Sequence, residues 1–257
     1  MNSDDGGERI FSGEMPFLEH LEELRWRIIK ITIALAIASV IAYLFSDRLF
    51  EFIRWPLNKA MPDKQITLNF FKLGEAFNFR IKLSLLTGVF ISIPITIYQI
   101  WKFVMPGLYK HEKKWIIVIV FWSSLLFLTG SAMCYFWILP VTIQFLIEIA
   151  PQGVNPILTL DEYLSFIMWT TLAFGVVFQL PLVSLFLGKL GIINYSLLSK
   201  GRRYAVLGIS VVAAVVTPSG DAFTMAMLAG PLYILYEVSI LLLRFTNKPR
   251  KEKELAG

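Results

Sequence analysis

Residues 115–139 read WIIVIVFWSSLLFLTGSAMCYFWIL, an uninterrupted run without a charged side chain. A helix needs roughly 20 residues to cross about 30 Å of hydrocarbon, and this run exceeds that. A helix apolar on every side has too little polar face for water, so the stretch belongs in a bilayer. Working outward, similar runs occupy residues 26–46, 78–103 and 163–188. Two further candidates are 204–216, which is short, and 223–243, which is long enough but contains Pro231 and Glu237. A re-entrant hairpin would also accommodate this last pair. Cations at both ends, Arg202 and Arg203 on one side and Arg244, Lys248 and Arg250 on the other, favour two crossings with local thinning of the bilayer. The expected fold is all-α: a polytopic membrane protein of six transmembrane helices.

Composition agrees. The chain is 56% hydrophobic and 17% charged, with a mean hydropathy of +0.64, outside the range of an ordinary soluble domain. The net charge of +5 does not point to nucleic acid, because Lys and Arg sit in short clusters between apolar runs, where they set topology. Lys110, Lys113 and Lys114 follow the second run, Lys189, Lys200, Arg202 and Arg203 the fourth, and Lys248, Arg250, Lys251 and Lys253 the sixth. Residues 139–162 and the 218–221 turn carry no Lys or Arg. Both termini are therefore expected in the cytoplasm. Segment 47–75 runs against the rule with Arg48, Arg54, Lys59, Lys64 and Lys72, and is outvoted by the other loops.

Three regions are expected: a flexible cytoplasmic stretch at 1–15, a membrane domain at 16–245 and a basic cytoplasmic tail at 246–257. Residues 1–15 hold Asp4, Asp5, Glu8 and Glu14 and lack a basic start followed by an apolar core, so the chain is expected to insert uncleaved. In segment 47–75, Leu49, Phe50, Phe52, Ile53 and Trp55 alternate with charges up to Trp55-Pro56-Leu57, which is expected to end a short amphipathic helix on the outer interface. The loop at 151–161, punctuated by Pro151, Gly153 and Pro156, is expected to join it in an outer cap. Pro94 and Pro181 are expected to bend or locally open their helices. No internal repeat is evident, which counts against inverted-repeat transporters.

An enzyme is not expected. The two histidines, His20 and His111, fall outside the bilayer, so no Ser-His dyad or HExxH zinc site can form within it. A lone cysteine, Cys134, excludes an intramolecular disulfide and a cysteine-based metal site; no cofactor or catalytic residue is assigned. Gln179 and Glu237 are polar groups within spans. Gln179 reads equally well as an interhelical hydrogen bond or as a functional group, and Glu237 as neutral or hydrogen-bonded in the bundle. At one membrane face, Glu19, Glu22 and Glu23 open a helix beginning near Pro16, where acids favour the macrodipole, and Glu23 can pair with Arg27 four residues on. Glu112, in a basic loop, has no such helical reason to be acidic. Two carboxylates from separate elements could each take a guanidinium in a bidentate fork, which lysine cannot reproduce.

The motifs His20-Leu-Glu-Glu-Leu-Arg25, Tyr98-Gln-Ile-Trp-Lys-Phe103, Pro106-Gly-Leu-Tyr-Lys-His-Glu112, Tyr163-Leu-Ser-Phe166, Phe174-Gly-Val-Val-Phe-Gln-Leu-Pro181 and Thr217-Pro218 near Asp221 stand in an order that resembles the TatC family, from about residue 16 to 245. The resemblance implies six helices in a cupped, kinked bundle with both termini cytoplasmic, in the bacterial inner membrane. It implies the core receptor subunit of the twin-arginine translocase, which exports folded proteins on the proton-motive force with the single-span partners TatA and TatB, in a multimeric receptor complex. In the family, the glutamates matching Glu23 and Glu112 recognise the paired arginines of the signal peptide, and Leu24, Arg25, Phe103, Lys110 and His111 belong to the same motifs. Thr217 and Pro218 match the region where TatA and TatB dock, and Asp221 and Pro56 match sensitive outer-face positions. Two departures stand out: Gln179 replaces a glutamate found in many members, and Met225 replaces a polar glutamine. The alternative reading is a small proton-coupled transporter whose substrate meets Gln179 and Glu237.

Overall fold

The computed structural model describes residues 15–62, 67–104, 113–151, 157–216 and 221–246. The chain runs through α1 (Met15–Leu44), α2 (Ser46–Ala60), β1 (Leu68–Asn69), α3 (Glu75–Val104) and α4 (Lys113–Met133). A π-helical turn (Cys134–Ile138) leads into α5 (Leu139–Glu148), then β2 (Leu158–Thr159), α6 (Leu160–Val177), α7 (Leu180–Lys189), α8 (Tyr195–Lys200), α9 (Arg202–Val216) and α10 (Ala222–Thr246). Among the described residues, five helical segments are long and apolar enough to cross a membrane: Leu18–Leu44, Glu75–Val104, Ile116–Glu148, Leu160–Lys189 and Ala222–Phe245. The fifth expected crossing, 204–216, is helical where expected, but the 15 residues of α9 give it only about 22 Å.

Pro94 and Pro181 act differently on their helices. Pro181 does open its helix: α6 stops at Val177, Phe178 and Gln179 form a turn, and Pro181 enters the first turn of α7, where a missing N–H costs nothing. Pro94, in contrast, lies inside α3 without interrupting it. The third span also outruns its expected end at 139 and stays helical to Glu148. Its π turn, closed by the Leu139 N–H on the Cys134 carbonyl, lies just ahead of Pro140 and absorbs the misfit of a residue that cannot donate.

Pro56 does not end the amphipathic helix as expected; α2 continues to Ala60. Lacking an N–H, Pro56 leaves the Phe52 carbonyl without its intrahelical donor, and its ring crowds the turn before it. The Tyr135 hydroxyl donates to the Phe52 carbonyl, and the Tyr163 hydroxyl donates to the Ile53 carbonyl at 2.8 Å. Two tyrosines from the third and fourth spans thus take over the acceptors that the proline disturbs. Pro56 itself is fully buried. Ile53, Pro56, Leu57 and Ala60 face inward at helical spacing, with Asp47, Glu51 and Lys59 outward.

The main core joins this cap to the spans: Leu57, Leu83, Leu139, Leu164, Ile167 and Phe174 are all but inaccessible. At the same end, β1 and β2 pair in parallel, Leu68 opposite Leu158 and Asn69 opposite Thr159, so the two loops expected to form a cap are joined by backbone pairing. Lys82 on α3 pairs with Asp161 at the start of α6, and Arg80 meets Asp47 of α2 at 2.7 Å. The longest helix contact is α1 along α3, where Gly88 meets Ser39. At the α9–α10 hairpin, Arg202 grips Glu237 in a fork at 2.8 and 3.0 Å, and the Tyr233 hydroxyl adds a bond at 3.1 Å. Glu237 is hydrogen-bonded, as one sequence reading had it, and its chief partner is a cation.

Candidate functional site

The N-terminal part of α1 and the C-terminal part of α3 meet because the two helices run antiparallel. Arg27 is buried and reaches across to the Gln99 carbonyl at 3.4 Å. One turn earlier, Glu23 accepts from the same guanidinium, so Arg27 ties the carboxylate to α3. His20 lies a further turn out, with Nδ1 3.6 Å from the second Glu23 oxygen and its ring stacked on Phe103 at 4.2 Å and 8°. His20, Glu23, Arg27, Gln99 and Phe103 therefore form one cluster at one end of the bundle. The Glu23 side chain remains 38% accessible. Arg27 engages one of its oxygens, and an ionised carboxylate has about four lone-pair positions, so the accessible edge can accept a further cation.

Leu24 is half-buried beside this cluster in sequence and Arg25 is exposed. Lys110, His111 and Glu112 lie outside the described residues, as do Thr217 and Pro218. Asp221 acts as the N-cap of α10: its Oδ1 accepts from the Thr224 backbone N–H at 2.8 Å and its Oδ2 from the Thr224 hydroxyl at 2.5 Å. The expected sites therefore fall in different places, with Glu23 and Phe103 brought together at one end and Pro56 buried in the α2 cap.

Gln179 sits at the break between α6 and α7. Its amide donates to the Ser123 carbonyl at 2.9 Å and accepts from the Ser123 hydroxyl, which also receives the Trp101 indole N–H at 3.3 Å. This partly buried chain links α3, α4 and the helix break, the interhelical hydrogen bond that was one of its two readings. Gln179→Leu is expected to lower thermal stability in detergent by about 1 kcal/mol. Gln179→Glu is expected to cost more, since a carboxylate would set an acceptor against the Ser123 carbonyl. Melting curves of the two variants check both.

The sequence reading assigned Glu23 and Phe103 but not His20 or the Arg27–Gln99 bond. His20 stood within the first motif; its partner could be found only once the register of α1 on α3 was known.

Residues 19–231 match the family model described as TatC, Sec-independent protein translocase protein. The chain belongs to the TatC family. The TatC protein of Desulforapulum autotrophicum is 41% identical over 93% of this chain and 88% of its own length. That of Aquifex aeolicus is 37% identical over 94% of this chain and all of its own. A crystal structure of the twin-arginine translocase receptor TatC in DDM superimposes with a TM-score of 0.77 at 37% identity, covering 87% of this chain and 99% of that one. As a TatC protein the chain is a multi-pass membrane component of a protein translocase rather than an enzyme. The family decides against the small proton-coupled transporter.

Proposed function

We propose that this TatC protein is the receptor subunit that binds twin-arginine signal peptides of folded precursor proteins in the bacterial cytoplasmic membrane. Both termini face the cytoplasm in this reading, with residues 16–245 as the membrane unit between cytoplasmic segments 1–15 and 246–257. The observation that carries it is the Glu23 carboxylate, held from below by Arg27 and flanked by the His20–Phe103 stack, with an open edge at the end of the bundle. One guanidinium of the signal meets this edge, and Glu112, which follows α3 in the chain, takes the other, with Leu24, Arg25, Lys110 and His111 as further contacts. The apolar part of the signal then lies along the spans.

TatA and TatB dock at the α9–α10 hairpin near Thr217 and Pro218, and several copies of the receptor associate. The shortness of α9 supports this region as the place where the bilayer is thinned. Pro56 and Asp221 support transport by holding the α2 cap and the start of α10. The proton-motive force drives the passage of cargo.

Photo-crosslinking in membranes tests the reading. A twin-arginine signal peptide is expected to label residues around Glu23, and a twin-lysine peptide to label them several-fold less, because ammonium cannot make the fork. Equal labelling by both peptides would refute it.

A further inference from the structure

On the outward side of the α1–α3 contact, a groove of about 380 Å³ is lined by Lys30, Ile33, Ile37 and Ile41 of α1 and by Ile91 and Ile95 of α3. Its walls are almost wholly aliphatic, and a single cation stands among them. The α1 residues repeat at three and four positions, so Trp26, which is 55% accessible, continues the same stripe one turn towards the helix start. On α3, Tyr98 and Lys102 continue the stripe of Ile91 and Ile95 in the same direction, and the Lys102 ammonium lies 5.6 Å from the Tyr98 ring centroid. The register set by Arg27 on Gln99 brings both extensions to the same end.

The groove thus has an aliphatic body and, at one end, two lysines with a tryptophan and a tyrosine. Within the described residues, no ion pair engages Lys30 or Lys102. Aromatic rings of this kind sit at headgroup depth, and lysines on a lipid-facing stripe extend towards phosphates. A lysine beside a hydrocarbon wall is costly unless an anion meets it.

We infer that this groove is a binding site for one anionic phospholipid of the leaflet at the α1 N-terminal side, with an acyl chain along Ile33, Ile37, Ile41, Ile91 and Ile95 and the phosphate between Lys30 and Lys102. The charge of the two lysines selects the lipid, since a zwitterionic headgroup brings its own cation. The site lies apart from the Glu23 cluster: Arg27 faces into the helix contact, whereas Lys30 faces the groove. It does not depend on which side of the membrane that end faces.

Native mass spectrometry of the full chain, delipidated in detergent, tests this with phosphatidylglycerol and phosphatidylcholine of identical acyl chains. Phosphatidylglycerol is expected to bind more tightly, by about fivefold for each lysine. Lys30→Gln with Lys102→Gln should bring the two lipids to near equality; both side chains are exposed, and an unchanged melting temperature verifies the fold. Ile37→Trp, which fills the groove, should weaken the tightest phosphatidylglycerol adduct, and glycerol 1-phosphate without acyl chains should not compete. Equal retention of the two lipids by the unaltered chain, or a preference untouched by the lysine variants, would overturn the site. So would effective competition by glycerol phosphate, or a second copy of the chain occupying this face without lipid.

Discussion

Glu23→Gln is expected to weaken the binding of a twin-arginine signal peptide roughly 30-fold, about 2 kcal/mol, the low end of what removing one partner of a charged pair costs. The low end applies because the carboxylate is 38% accessible and solvent screens part of the attraction. Arg27→Met separates the two roles open to this glutamate. If Glu23 only anchors Arg27 to close the α1–α3 contact, both variants should lose stability together and have parallel effects on the peptide. If Glu23 receives the peptide, Arg27→Met releases the oxygen that Arg27 engages and binding should hold or tighten while Glu23→Gln loses it. Fluorescence titration of a labelled signal peptide, with melting temperatures alongside, reads both quantities.

Gly88→Leu is expected to be the most destabilising single change in α3. A Cβ at Gly88 would lie 2.9 Å from the Ser39 backbone nitrogen and 3.0 Å from its Cα, and backbone cannot rotate away. The two helices must part along their whole contact, which also carries the Arg27–Gln99 bond and the His20–Phe103 stack. Overpacking of this kind costs about 3 kcal/mol, and lost binding at the distant Glu23 cluster should accompany it. Gly208→Leu supplies the contrast, because nothing lies within 4 Å of a Cβ there. Thermal unfolding in detergent should separate the two sharply; equal melting temperatures would show that α1 and α3 do not depend on this contact.

Much of the architecture was legible because bilayer insertion is decided locally. Each full span is a run of apolar residues long enough on its own, so position and type could be read without knowing any neighbour. The prolines show where this stops. Pro181 breaks its helix and Pro94 does not, and Pro56 is carried through α2 because Tyr135 and Tyr163 occupy the acceptors it disturbs. Whether a proline interrupts a helix depends on what stands beside it in space. The same applies to β1 and β2, two residues each, whose pairing across the cap has no signature in so short a segment.

The sequence by itself determined the class of protein, the places of its helices, the family it resembles and the motif holding Glu23, since these rest on composition, run length and residues adjacent in the chain. Tertiary structure alone decided what those residues touch. Glu23 became a carboxylate with one oxygen engaged and one edge open only when α1 lay on α3, Gln179 a link between spans only when Ser123 and Trp101 came beside it, and Glu237 the partner of a cation only when α9 folded back on α10. Hydrogen bonds and ion pairs act over about 3 Å, and distances of that size between residues far apart in the chain are set by helix register, which periodicity in a single helix does not contain.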